Sequence, residues 1–133
     1  MIKAVIDTNV FVSALWTKNH NSPTRRILLA LLQGRFILLH NEEILTEYSE
    51  VLCRDEFKFD PEQVSGLIES IRNEGLDTTR EKASEIFPDP DDRVFYEVAL
   101  AEPGAHLVTG NLKHYPVSPI VVTPAQFCEL LGF

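Results

Sequence analysis

Asp7, Glu47, Asp91, Asp92 and Asn111 are the residues whose types and settings could do chemistry in this chain. Asp7 directly follows the apolar run Ile2–Ile6, and Asn111 comes two residues after Leu107-Val108-Thr109. Asp91 and Asp92 close the loop Pro88-Asp89-Pro90-Asp91-Asp92, at the mouth of a helical stretch. On a helical wheel Glu47 lies at the edge of the stripe formed by Ile44, Tyr48 and Val51, so it can reach into a site rather than only meet water. Crowded carboxylates repel and need a counter-ion to coexist. Hard divalent ions such as Mg²⁺ or Mn²⁺ bind oxygen ligands and supply one. A metal held this way activates water and neutralises charge that develops on a phosphodiester. On this reading Asp7, Glu47 and a third carboxylate from Asp91 or Asp92 are ligands. Asn111 adds a neutral contact or a hydrogen bond to metal-bound water, and Thr8, Asn9 and Thr109 orient the group.

Each of these residues also has an ordinary use. Asp7 before a helix is a good N-cap, and Asp91 and Asp92 suit the dipole of a helix N-terminus. Glu47 could be one more solvated acid beside Glu43 and Glu50, and Asn111 after Gly110 a turn residue. Their joint placement separates the two readings, because open parallel sheets gather functional groups beyond the carboxyl ends of their strands.

The elements needed to position them can be read from hydrophobic periodicity and punctuation. Ile2–Ile6, Phe36–Leu39, His106–Thr109 and Ile120–Val122 read as short buried strands. Helices are expected over Val10–Trp16, after the cap Ser22-Pro23 with Ile27, Leu28, Leu31 and Leu32 on one side, and after Asn41. A further helix opens at Asp60-Pro61-Glu62-Gln63, a cap, proline and capping-box glutamine together. Another follows Asp92, burying Val94 or Phe95, Val98 and Ala99. The last opens at Thr123-Pro124-Ala125-Gln126 and ends at Gly132. Leu76–Phe87 is polar and mixed, with room for one strand. Strands separated by helices imply an α/β fold: a three-layer αβα sandwich with a mostly parallel central sheet.

The chain has 133 residues, 44% apolar and 24% charged, which fits one domain over 1–133. No apolar run reaches the roughly 20 residues of a membrane span, and the first residues lack the pattern of a signal peptide. The two cysteines, Cys53 and Cys128, show no metal spacing and are expected as buried free thiols in a cytoplasmic protein. The net charge of −8 argues against nucleic-acid binding by bulk electrostatics, unless much of that charge is gathered where a cation inverts its sign. His20, His40, His106 and His114 are scattered and carry no expected role. Arg25, Arg26 and Arg35 are read as solvated helix charge rather than contacts to RNA phosphates, and Trp16 and the phenylalanines as core rather than base-stacking platforms.

These segments together resemble the PIN-domain family. Val5-Ile6-Asp7-Thr8-Asn9-Val10 is similar to its opening motif and Leu45-Thr46-Glu47-Tyr48 to its helical glutamate segment. Asp89-Pro90-Asp91-Asp92-Arg93 with Val98-Ala99-Leu100-Ala101, then Ala105–Asn111, are similar to its last two acidic motifs. The order matches along nearly the whole chain. The nearest likeness is to the branch of toxin components of bacterial and archaeal toxin–antitoxin pairs (VapC-like). The resemblance implies a ribonuclease acting on single-stranded or structured RNA with Mg²⁺ or Mn²⁺, often a homodimer and often silenced by a small antitoxin protein. It also implies Asp7 as a metal ligand. Among Asp89, Asp91 and Asp92 the ligand is open, with Asp92 favoured. Asn111 departs from the Asp of many members, which weakens a second metal position. A non-catalytic module binding RNA or a protein partner is the alternative. A phosphoryl-transfer domain with Asp7 as nucleophile is disfavoured, because Asn9 and His40-Asn41 stand where it needs acids.

Overall fold

Four apolar runs and one short polar strand build the centre of the molecule in the computed structural model, which describes residues 1–133. The strands are β1 (Lys3–Ile6), β2 (Ile37–His40), β3 (Leu76–Asp77), β4 (His106–Val108) and β5 (Val121–Val122). They form one sheet in the order β3-β2-β1-β4-β5, and every pairing is parallel. Ala4, Val5 and Ile6 are fully buried, as expected of a central parallel strand covered on both faces. Pairing of Ile6 with Val108 sets the register that brings Asp7 and Thr109 to the same sheet edge.

Six helices cover the sheet: α1 (Thr8–Trp16), α2 (Pro23–Leu32), α3 (Glu42–Leu52), α4 (Pro61–Glu74), α5 (Arg93–Ala101) and α6 (Pro124–Leu131). The result is the three-layer αβα sandwich. α5 lies across β1, β2 and β4, while α1 packs on α2 and α3, α2 on α6, and α3 on α4. The caps follow local chemistry. Ser22, Asn41 and Asp60 each accept a backbone N–H from the first helical turn. Thr123 and Gln126 close a complete capping box.

One detail of the core places the site. Tyr48 is wholly buried between Phe11 and Phe95, with ring centroids 5.0 and 6.2 Å away. Its hydroxyl donates to the carbonyl of Ile6, the last residue of β1. A buried phenol needs such an acceptor, and this one ties α3 to the end of the central strand. Glu47, its neighbour on α3, is thereby held beside Asp7.

Several expectations are corrected. α1 begins at Thr8, directly behind its cap, rather than at Val10. Leu32 is exposed, because the buried face of α2 runs through Ile27, Leu28 and Ala30. Gln63 closes no capping box; Asp60 caps α4 alone through Glu62. Cys53, the C-cap of α3, is exposed, and only Cys128 is buried. Trp16 is 61% exposed at the last turn of α1 and is not core. Only Leu76–Asp77 of the mixed stretch forms a strand. No helix is long and apolar enough to cross a membrane.

Candidate active site

Because the sheet is all parallel, the carboxyl ends of its strands share one edge, and the acids meet there. Asp7 is the N-cap of α1 and is 4% exposed. Its Oδ2 accepts from the Thr109 hydroxyl at 2.8 Å and the Tyr115 hydroxyl at 3.3 Å. Its Oδ1 accepts only a long bond, 3.4 Å, from the N–H of Asn9. Capping and site geometry are therefore compatible, since the two oxygens divide the tasks. Burial pushes the Asp7 carboxyl above its usual range, although Thr109, Asn9, Tyr115 and His114 all oppose the rise.

Glu47 is half-buried and accepts a hydrogen bond from the Thr8 hydroxyl. Burial raises its carboxyl, and the charges of Asp7, Asp92 and Asp91 add to the rise. Asp92 precedes α5, with its side chain 14% exposed. Burial, then the charges of Asp7 and Asp89, push its carboxyl to about 6. His114 Nδ1 lies 3.3 Å from Asp92 Oδ2, but off the line of a hydrogen bond, so this buried oxygen has no aligned donor. Asp7, Glu47 and Asp92 form no ion pair with any arginine or lysine.

The other loop acids serve differently. Asp89 accepts the N–H of Asp91 and caps the 3-10 turn Pro90–Asp92. Asp91 is exposed and lines a polar cleft with Glu43, Glu47, Glu50 and Arg80. Asn111 is exposed, and its side chain makes no hydrogen bond within the protein. Its backbone N–H donates to Thr109 Oγ1 at 3.0 Å. Thr109 thus links Asn111 to Asp7 through one hydroxyl. Thr8 and Thr109 touch the acids by their side chains, whereas Asn9 does so only by its backbone.

The residues present fit a hard divalent cation by the chemistry of their donors. Burial raises the proton affinity of three oxygen-only side chains, the charge of Asp7 adds to the rise at Glu47 and Asp92, and one buried carboxylate oxygen is left without a donor. No three His, Cys, Asp or Glu groups are drawn together as a finished cage. Thr8 donates to Glu47, and His114 stands 3.3 Å from Asp92.

A family model described as PIN domain matches residues 3–113. The chain belongs to the PIN-domain family. PIN domains are in general nucleases and typically use divalent metal ions. A search of curated proteins finds no match to the chain. In this PIN domain two residues that sequence reasoning left without a role, His114 and Tyr115, stand against Asp92 and Asp7. Both lie past the matched span. The 3-10 turn Leu112–His114 folds them back over the strand ends, and nothing in their local sequence signals that return. Arg25 and Arg35 are spent on Thr17 O and Leu131 O, with Arg35 also 4.4 Å from the Phe133 ring.

Proposed function

We propose that the protein is a metal-dependent endoribonuclease, cutting single-stranded or structured RNA at Mg²⁺ or Mn²⁺ held by Asp7, Glu47 and Asp92. The observation that carries this reading is the group of three buried or half-buried carboxylates, none of which pairs with an arginine or lysine and only one of which meets a histidine. Such a group is stable in the charged state only with a cation from outside. The bound ion would supply Lewis acidity, activating water and offsetting charge on the scissile phosphate. The chain's own part is positioning. Thr109 and Tyr115 fix Oδ2 of Asp7 and leave Oδ1 for the ligand. Thr8 orients Glu47, and the turn capped by Asp89 presents Asp92, with Asp91 exposed beside it. Asn111 contributes a neutral contact at the rim.

The order of the acidic motifs supports the further proposal that this is the toxin of a toxin–antitoxin pair, acting in the cytoplasm. Its partners would then be an RNA substrate, a small antitoxin protein and a second copy of the chain. Two observations favour a second reading, a catalytically weak module that binds RNA or protein. Asn111 brings no charge to the rim, and the acids are not drawn into a cage. Cleavage of a mixed single-stranded RNA with Mn²⁺, Mg²⁺ or chelator, compared between wild type and Asp7→Asn, separates the two. Metal-dependent cutting lost in the variant supports the ribonuclease. Metal binding without cutting supports the module.

A further inference from the structure

The face of α1 that begins at Asn9 ends in an aromatic group on the surface. Asn9 and Trp16 are seven residues apart, so they lie on one side of the helix about 10 Å apart along its axis. Val12, Ser13 and Thr17 complete a shallow groove between them. The Trp16 ring, 61% exposed, is braced edge-on by Phe57, with centroids 5.4 Å apart at 72°. Phe57 in turn stacks on Phe59 at 5.5 Å and 15°. Lys58, between the two phenylalanines, has φ 56° and ψ 30° and is the only non-glycine residue in the left-handed region. A left-handed lysine is strained, and here the strain accompanies the stacking of its two neighbours. Lys58 and Lys18 are exposed and make no ion pair.

We propose that Trp16, braced by Phe57 and Phe59, is a base-stacking platform that receives a single-stranded segment of the RNA whose backbone is cut at Asp7. Base stacking suits a chain of net charge −8, because it draws on π-faces rather than on a broad basic surface. Asp55 and Glu56 in the same turn leave Lys18 and Lys58 as local phosphate contacts only. α1 gives the geometry: its N-terminus is capped by Asp7, and its exposed face leads to the ring. The groove between them offers the Asn9, Ser13 and Thr17 side chains for sugar and base edges. The inference rests on the ribonuclease reading, and it names how the substrate is held.

The chain has one tryptophan, so emission excited selectively from tryptophan reports on this ring alone. Full-length Asp7→Asn protein is titrated with fluorescein-labelled eight-nucleotide oligoadenylate, following anisotropy. Unlabelled oligonucleotide is used to follow tryptophan emission. The expected result is saturable quenching that tracks binding, an affinity about 5- to 150-fold lower in Trp16→Ala, and most of it restored in Trp16→Phe. Lys58→Asn keeps the left-handed turn, removes the charge, and lowers the salt slope by about one. Binding with unchanged emission and equal affinity in Trp16→Ala overturns the platform while leaving the ribonuclease reading intact. No binding by any form, with no cleavage by wild type, overturns both. Emission that changes with protein concentration alone, with a dimer lost in Trp16→Ala, makes the patch a contact between copies and overturns the proposal.

Discussion

Glu97 and Asp7 are buried almost equally, at 5% and 4% exposure, yet the fold treats their charges in opposite ways. Glu97, on α5, accepts from the N–H of Ala83 at 2.9 Å and from the Arg80 guanidinium at 2.8 and 2.9 Å. Arg93 stands 3.5 Å away. Burial alone would raise its carboxyl, but these donors outweigh it and hold the group below the usual range. Arg80 also binds Glu43, so one guanidinium ties α3, α5 and the irregular stretch after β3 together. Asp7 receives two hydroxyls and one distant N–H, and its carboxyl rises. A carboxylate that serves structure is neutralised by the chain's own arginines. Asp7, Glu47 and Asp92, at the carboxyl edge of the sheet, pair with no arginine or lysine, and the proposed metal site rests on that contrast. Neither Arg80 nor Glu97 could be singled out from sequence, because their pairing spans seventeen residues of irregular chain.

Replacing each acid in turn is the widest test of that contrast. Asp7→Asn is expected to reduce metal-dependent RNA cleavage by at least about 10²–10³-fold, with an unchanged circular dichroism spectrum. Unaltered cleavage would remove Asp7 from the site. Glu97→Ala should do the reverse. Denaturant unfolding in chelator should show a loss of about 2–4 kcal/mol, because two arginines and the Ala83 N–H lose their acceptor. A fully stable Glu97→Ala protein would mean that the comparison between the two acids is empty.

A smaller effect follows from Asp92. Its carboxyl titrates at about 6 in the folded protein, against 3.8 for the free group. The folded state therefore holds the proton more tightly. The stability this contributes is full below pH 3.8 and is lost as pH rises through about 6. In chelator at pH 7.5, Asp92→Asn should raise the Tm by about 4 °C, and at pH 3.5 the two proteins should melt together. Added Mn²⁺ should raise the Tm of wild type and not that of the variant. Equal melting at both pH values would show that charged Asp92 is not destabilised by its burial and its acidic neighbours. The mildest change is Asn111→Asp, for which equal or up to about ten-fold greater cleavage and tighter binding of a second metal are expected. Calorimetric titration with Mn²⁺ checks the second site, and a large loss of activity would assign Asn111 a role unrelated to charge.

The sequence by itself determined the alternation of strands and helices, most of the caps and the ordered set of acids, because these depend on local chemistry. A serine before a proline, or an aspartate after an apolar run, meets the same backbone requirement in any fold. Asp7, Glu47 and the pair Asp91 and Asp92 were legible as candidates for that reason, while the preference for Asp92 and the departure at Asn111 came from the resemblance to PIN domains. Only the tertiary structure decided which groups touch. The hydroxyl of Tyr115 reaches Asp7 across 108 residues and that of Thr109 across 102. His114 meets Asp92 only after a turn folds back. Trp16 is exposed because the buried face of α1 runs through Val10, Phe11 and Ala14, and an apolar residue type alone does not choose a side. Periodicity sets which residues share a helix face, but the packing of β1 against β2 and β4 sets which faces have something to meet.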